Sequence, residues 1–241
     1  MTQGFHRNGS SSHQPARPVQ DQQSPGLFAL VGSISPKVAP TGFSRNAGIY
    51  LEGDPVGQLY KVISGAVRAC RVLVDGRRQV AAFYLPGDFF GLEGGEKHVF
   101  SAEAVTDVRL LVSNRAALAS RAKWDNDVGR QLWMLMEREL QSAQDHVGLL
   151  IKTAPERVAS FLLEMADRIQ PRDEVRLPMS RQDIADYLGL TIETVSRTLT
   201  QLENASVIAL PCSKRIVLRN RSALKRLVEG SCKPVSGPTS L

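Results

Sequence analysis

The segment from Ser180 to Asn204, SRQDIADYLGLTIETVSRTLTQLEN, restricts the fold more than any other part of the chain. It contains two amphipathic helical patterns joined by the short turn GLT. Such a helix pair needs a small residue where the helices meet, a residue that tolerates positive φ in the turn, and an apolar anchor on the second helix. Ala185, Gly189 and Val195 meet these needs. The segment therefore predicts a helix-turn-helix, whose small core is completed by Ile184, Leu188, Leu190 and Leu199.

The second helix of this pair begins with polar side chains that a core does not need. The first turns of a DNA-recognition helix are the part that reaches base edges in the major groove. Arg binds guanine O6 and N7, Glu accepts from cytosine N4, and Ser can serve several bases. Glu193 and Arg197 are also four residues apart, so we expect them to interact across one helical turn. The pattern predicts base contacts from Glu193, Ser196 and Arg197. The alternative is a structural helix pair that carries an exposed ion pair.

The residues after this pair are basic. Six Lys and Arg residues and no acid lie between Ala205 and Arg226. Within this range VIALPCSKRIVLRN predicts two strands around a turn, and RSALKRLVEG predicts a closing helix. With a further helix opened by Pro155, the order of elements is that of a winged helix-turn-helix over 155–229. Lys214 and Arg215 would lie in the wing and contact DNA phosphates, and the net charge of +6 favours an anionic partner.

The first half of the chain has the residue pattern of a β domain. From about Leu27 to Lys123, short runs rich in Val, Ile, Tyr and Phe alternate with glycine-containing turns. This spacing predicts a β-roll of the jelly-roll type over 27–123. Asp75-Gly76 between two such runs predicts a two-residue type I′ hairpin, which requires positive φ at both positions.

A long helix is predicted between the two domains, over 124–154. Apolar residues recur along it at alternating spacings of three and four, which is typical of a coiled-coil seam. The alternative is an amphipathic helix packed on its own domain, but a helix of this length with a narrow seam favours pairing with a second copy of the chain. The predicted homodimer interface comprises Trp133, Met136, Leu140, Ala143, Val147 and Leu150.

Composition excludes several other classes of protein. The 241 residues include three cysteines at irregular spacing, from which no disulfide framework, zinc motif or iron–sulfur motif can be built. The chain has no signal-peptide pattern and no apolar run of membrane-spanning length, so we expect a cytoplasmic protein with no membrane partner. There is no Walker loop, metal cluster or nucleophile–base pattern, so no enzyme is predicted. Residues 1–26 and 230–241 have the composition of disordered tails. The predicted fold class is α+β.

This order of parts resembles the CRP/FNR superfamily of bacterial transcription regulators, over about Leu27 to Val228. The stretches ETVSR, LPMSRQDIADYLGLTIETVSRTLTQLE and RIVLRNRSAL look most like the FixK branch. The resemblance implies an activator of genes for micro-oxic respiration and nitrogen fixation, with RNA polymerase as a partner and a TTGAT-N4-ATCAA inverted repeat as its operator. It also implies phosphate contacts from Ser180, Arg181, Thr191 and Thr194.

The departures from the family pattern concern the effector. Relatives that bind cyclic AMP hold its phosphate with an Arg-Ser pair and an upstream Gly-Glu pair; here Phe100 replaces the Arg, and Gly91-Leu92 replaces Gly-Glu. Without the guanidinium a cyclic phosphate loses a charge-assisted contact. No cysteine cluster precedes Cys70, which excludes the family's iron–sulfur sensor. His98 and His146 are expected to be structural rather than haem ligands. No cofactor and no metal are therefore predicted.

Two functions remain open from the sequence. The first is a homodimeric activator that binds DNA without an effector. The second is an effector- or redox-gated sensor whose β-roll binds an unidentified ligand. Cys212 is the candidate redox residue, because a basic wing beside DNA promotes thiol oxidation and oxidation there would add negative charge near phosphates. The alternative is an ordinary surface thiol.

Overall fold

The computed structural model describes residues 39–169 and 173–229. The predicted tails at 1–26 and 230–241, and the first residues of the predicted β-roll at 27–38, lie outside the described residues. Within the described ranges the fold is α+β, with a β-roll, a long helix and a winged helix-turn-helix in chain order, as the sequence predicts.

The β-roll consists of two four-stranded sheets. Its strands are β1 Thr41–Phe43, β2 Gly48–Tyr50, β3 Gln58–Ser64, β4 Val67–Val72, β5 Arg78–Tyr84, β6 Phe89–Phe90, β7 Ser101–Ala104 and β8 Val108–Asn114. One sheet has the order β1-β8-β3-β6 and the other β2-β7-β4-β5, with antiparallel pairing throughout. Alternate side chains of both sheets, including Val62, Val67 and Leu110, are buried in one core. The roll is thus a closed unit with its own hydrophobic interior.

The turn between β4 and β5 differs from the predicted type I′ hairpin. Residues 73–77 connect the strands, and Leu73 N donates to Arg77 O at 2.7 Å while Gly76 N donates to Leu73 O at 2.9 Å. Gly76 has φ +82°, whereas Asp75 is not among the positive-φ residues. This is the longer hairpin in which a turn is followed by one left-handed residue, and it needs only one glycine. The dipeptide indicates the hairpin correctly but the turn type wrongly.

Two helices follow the roll. Helix α1, Arg115–Ala122, occupies the end of the segment predicted as β, and Asn114 caps it by accepting from Ala117 N at 2.9 Å. An Asn before a run of Ala, Arg and Leu is a helix-start signal, but the strand-like pattern of the preceding residues obscures it. Helix α2, Asn126–Leu150, lies inside the predicted 124–154 range because Asp125 caps its start and three residues separate its end from the next helix.

The C-terminal domain comprises α3 Ala154–Arg168, β9 Glu174–Arg176, α4 Arg181–Leu188, α5 Ile192–Asn204, β10 Ile208–Cys212, β11 Arg215–Leu218 and α6 Arg221–Glu229. Its three strands form one antiparallel sheet in the order β10-β11-β9. The buried faces of α3, α4 and α5 meet in a core that includes Phe161, Leu188 and Leu199. This core does not stop at the domain: Cys70, Val80 and Phe83, on the outer face of the β4–β5 hairpin, belong to it as well.

Candidate nucleic-acid interface

The helix-turn-helix is built as its sequence predicts. Gly189 ends α4 with φ +60°, in the left-handed region, and Leu190 N donates to Ala185 O at 3.0 Å. Thr191 caps α5 by accepting from Thr194 N at 3.2 Å. Ala185 and Val195 are fully buried where the helices meet. The turn therefore sets the angle at which α5 leaves the domain.

The start of α5 has one buried and one exposed face. Its buried residues are Val195, Thr198, Leu199 and Leu202. The predicted base-contacting residues Glu193, Ser196 and Arg197 are all exposed, and they lie in the first two turns of the helix. The fold thus brings the three side chains together on an open surface that contributes nothing to the core.

Glu193 and Arg197 do not form the direct ion pair that their spacing suggests. Within the described residues, the hydrogen bonds of Glu193 come from its own backbone and from Thr191. These bonds, together with the charge of Arg197, hold the pKa of Glu193 below its ordinary value. The carboxylate is therefore an ionised acceptor at neutral pH, and the Arg197 guanidinium is not committed to it.

The start of α4 holds two of the predicted phosphate contacts. The hydroxyl of Ser180 accepts from Asp183 N at 3.1 Å and donates to Asp183 Oδ2 at 2.7 Å, so it serves as the helix cap. Arg181 is half-buried, burial lowers the pKa of its guanidinium, and its Nη1 has no hydrogen-bond partner among the described residues. The Ser180 hydroxyl is thus already engaged, and the unpartnered Nη1 of Arg181 is itself buried rather than open to a phosphate.

The two wing cations differ in their surroundings. Lys214 lies in the β10–β11 turn, is exposed, and donates to Pro178 O at 3.3 Å. Arg215 instead donates through Nη2 to Glu174 Oε2 at 2.6 Å, across the β9–β11 pair. Glu174 also pairs with Arg176, so one carboxylate is shared by two guanidinium groups, and it engages Nη2 of Arg215. Lys214 is the better placed of the two for a phosphate contact.

The two described cysteines have opposite environments. Cys212 is exposed at the end of β10, opposite Arg215 in the sheet register. Cys70 is buried, and burial raises the pKa of its thiol to about 11. Of these two thiols, the one in the wing is accessible to oxidants.

The interior of the β-roll is filled by aromatic rings. The rings of Tyr60 and Phe90 stack with centroids 4.9 Å apart, and those of Tyr50 and His98 stack at 3.6 Å. His98 Nδ1 lies 3.1 Å from Glu93 Oε1, so its ring is held from two sides. These contacts account for the buried histidine as part of the core.

The other residues singled out for effector chemistry also have structural neighbours. Phe100 is half-buried with the Arg71 guanidinium 5.4 Å from its ring centroid. His146 packs edge-on against Tyr187 with ring centroids 4.3 Å apart, and burial lowers the pKa of its imidazole. Within residues 39–169 and 173–229, no group of three or more His, Cys, Asp or Glu side chains is placed to bind a metal ion.

The proposed dimer seam is mostly exposed. Trp133, Met136, Leu140 and Val147 have 72%, 51%, 60% and 64% of their surface exposed, and Ala143 is also exposed. The opposite face of α2, with Val128, Leu135 and Leu149, is buried against the same chain. Leu150 is half-buried near the helix-turn-helix: a Cβ on Gly189 would lie 3.5 Å from its Cδ2. Among the residues that the structure describes, only Leu150 of the apolar stripe is partly covered by its own chain.

One group of polar residues had no sequence signal. Arg68 and Arg78 of the β-roll form ion pairs with Asp183 and Asp186 of α4, more than 100 positions further along the chain. Charged residues on short strands normally indicate a solvated face. No local pattern connects the two segments, so only the fold reveals these contacts.

Known proteins share both halves of this architecture. Residues 41–123 match the cyclic nucleotide-binding domain family, and residues 156–227 match the Crp-like helix-turn-helix domain family. No helix in the described ranges is long and apolar enough to cross a bilayer.

Relatives that match most of the chain show which group of regulators it is most similar to. The nitrogen fixation regulation protein FixK of Azorhizobium caulinodans is 49% identical over 91% of this chain and 86% of its own length. FixK of Rhizobium meliloti is 44% identical over 74% of this chain and 82% of its own length. The structure of FixK2 from Bradyrhizobium japonicum aligns with a TM-score of 0.75 at 47% identity, covering 78% of this chain and 97% of that one. With the geometry above, these similarities establish that the chain belongs to the CRP/FNR family of transcription regulators, in the group of the FixK proteins, and not to a family of enzymes.

Proposed function

We propose that this protein is a homodimeric activator of FixK type. It reads a TTGAT-N4-ATCAA inverted repeat and recruits RNA polymerase in the cytoplasm to nitrogen-fixation and micro-oxic respiration genes. The observation that carries the proposal is the exposed group Glu193, Ser196 and Arg197 on the first two turns of α5. Arg197 would read guanine, and the ionised Glu193 would accept from a cytosine amine.

Two copies are needed because one motif discriminates few base pairs, each mismatch being worth about 1–3 kcal/mol. The exposed stripe on α2 supplies the pairing surface: its apolar side chains follow the 3-4 spacing that places them in one seam. Twofold pairing along α2 would set two recognition helices about 34 Å apart, one turn of DNA. That separation matches an inverted repeat.

Binding without an effector is supported by the filled β-roll. The rings of Tyr50, Tyr60, Phe90 and His98 pack against one another inside the roll. Phe100 offers a ring, with no donor for a phosphate, at the position where cyclic-AMP-binding relatives have arginine. In this proposal the roll is a scaffold for dimerisation and for the DNA-binding domain.

The decisive test measures affinity by fluorescence anisotropy, with protein free of nucleotide and metal, on a TTGAT-N4-ATCAA duplex and a scrambled control. Arg197→Ala should lose discrimination at the guanine of TTGA, whereas Lys214→Ala should weaken binding to both duplexes alike and reduce the slope of log affinity against log salt by about 1. Equal sequence dependence for the two variants would refute the assignment of base and phosphate contacts.

A gated sensor is the second candidate, and two observations favour it. A cleft of about 780 Å³ lies between the β-roll, α2 and the DNA-binding domain, lined by Tyr84, Glu139, His146 and Arg168 among others. Cys212 is exposed in the wing. Specific binding that requires a reductant, and that becomes independent of it in Cys212→Ser, would select redox gating. Specific binding in air without any addition would select the effector-free function.

A further inference from the structure

Two arginines of the β4–β5 hairpin reach the first helix of the helix-turn-helix. Arg68 Nη1 donates to Asp183 Oδ1 at 2.9 Å, and Arg78 Nη2 donates to the same oxygen at 2.5 Å. Arg78 Nε also donates to Asp186 Oδ2 at 2.7 Å. We call these four side chains the interdomain ion cluster. It joins the β-roll directly to the domain that carries the recognition helix.

Most of the cluster is shielded from water. The side chains of Asp183, Asp186 and Arg68 are 5%, 9% and 11% exposed, and that of Arg78 is 27% exposed. Exposed ion pairs are screened and flexible, whereas shielded pairs with several hydrogen bonds hold a defined geometry. Asp183 also accepts from Ser180 N at 2.9 Å, so the carboxylate that completes the capping box of α4 is the one that the β-roll holds.

Apolar contacts surround the cluster. Phe83 of β5 packs against Tyr187 of α4 with ring centroids 5.2 Å apart, and it lies 6.4 Å from the ring of Phe161 in α3. Burial of these rings stabilises the contact between the β-roll and the DNA-binding domain, but apolar contacts are non-directional. The ion cluster is the directional part of this interdomain contact, because hydrogen-bonded charge pairs are sensitive to both distance and angle.

The other end of α4 is held by a different part of the chain. Arg157 Nη1 donates to Leu188 O at 2.8 Å, and its Nε donates to Lys152 O at 2.8 Å. This guanidinium connects the segment after α2 with the last turn of α4. The N-terminal end of α4 is therefore bonded to the β-roll, and its C-terminal end is bonded through Arg157 to the segment that follows α2. Helix α5 begins three residues after α4, so its orientation depends on that of α4.

We propose that Arg68 and Arg78 are positioning residues for DNA recognition, which hold α4 so that the two recognition helices of a dimer face half-sites at one defined separation and rotation. The inference deepens the proposed function and rests on it. Loss of the cluster would leave each helix-turn-helix able to read a half-site, since none of the base-contacting residues is touched. The two DNA-binding domains of the dimer would no longer be held at one separation and rotation, so the variant would tolerate half-sites at the wrong spacing.

The test compares duplexes with spacers of three, four and five base pairs between TTGAT and ATCAA. One base pair turns a half-site by about 35°, because B-DNA has about 10–10.5 base pairs per turn. We expect the unaltered protein to prefer the four-base-pair spacer by about tenfold or more, on the scale of one mismatched base pair. Arg78→Gln and Arg68→Gln/Arg78→Gln should reduce this preference to about threefold or less. The matched control is Arg77→Gln, on the same hairpin, whose partner is Asp75 in the exposed turn.

A double-mutant cycle separates positioning from general damage. Asp186→Asn removes the carboxylate charge that pairs with Arg78 and leaves one side-chain oxygen for the two donors Arg78 Nε and Gln182 Nε2. Asp186→Asn and Arg78→Gln/Asp186→Asn should therefore both show the relaxed spacing preference, with the double variant little worse than either single one. Should the arginine variants fail to fold, as judged by circular dichroism, Asp186→Asn alone carries the test. Unchanged spacing preference in a folded cluster variant overturns the positioning role. Absence of specific binding by the unaltered protein would instead overturn the proposed function, and the two failures are thereby distinguished.

Discussion

Replacing Leu140 with alanine tests the seam on α2. In the single chain this side chain is 60% exposed and lies in the middle of the apolar stripe. The substitution removes three carbon groups, and each is worth about 0.8 kcal/mol when fully buried. A partner could newly cover the exposed 60% of Leu140, so the substitution should cost about 1.4 kcal/mol of dimerisation free energy per copy. A twofold interface contains the residue twice, so dimerisation should weaken by about 3 kcal/mol, or about 100-fold in Kd.

The measurement is sedimentation equilibrium over a range of protein concentrations, without DNA. Gln141→Ala is the matched control, because Gln141 is exposed on the same turn of α2 but lies outside the seam, where its side chain donates to Asp145 Oδ1 at 2.8 Å. It should leave the dimer dissociation constant within about twofold, as expected for a surface substitution. If Leu140→Ala dissociates no more readily than the control, the stripe is not the dimer interface, and the argument from its exposure and spacing is wrong.

Three further substitutions test separate parts of the structure. Gly189→Ala should lower the free energy of unfolding by about 1–2 kcal/mol in denaturant titrations, because φ is +60° there; the added Cβ meets no atom closer than 3.4 Å, so a larger loss would contradict a purely backbone cost. Oxidation with hydrogen peroxide should weaken DNA binding through Cys212, and Cys212→Ser should bind equally before and after treatment, whereas Cys70→Ser should still respond. Burial raises the pKa of Glu139 although Tyr84 donates to it at 2.9 Å, so the folded state binds the proton more tightly. The contribution of Glu139 to the free energy of unfolding should therefore fall as pH rises from the ordinary carboxyl pKa through the raised one, and the difference between the unaltered protein and Glu139→Gln in pH-dependent thermal unfolding should show that fall.

The helix-turn-helix was predictable because its determinants are local. Capping by Thr191, the left-handed Gly189 and the buried Ala185 act within a few residues of one another, and each has a residue-type signature. The exposed face of α5 follows from the same periodicity. For the same reason the dimer seam could be proposed from spacing alone.

Where local signals competed, the sequence was ambiguous. The Asn cap of α1 was hidden by the preceding strand pattern, and Asp75-Gly76 indicated a hairpin without its turn type, because a type I′ turn and a longer loop both accept this dipeptide. Ser180 and Arg215 were assigned to phosphates by residue type. Their side chains are engaged by Asp183 and Glu174, which lie three and 41 positions away.

The sequence by itself determined most of the elements, their order and the exposed polar face of α5 that is predicted to contact DNA, since helix and strand periodicity and capping are properties of neighbouring residues. Tertiary structure alone decided how the β-roll meets the DNA-binding domain. The contact of Arg68 with Asp183 spans 115 positions, and that of Arg78 with Asp186 spans 108. Such pairs leave no periodic trace in a single chain, because their partners become neighbours only when the outer face of one sheet is buried against a distant helix.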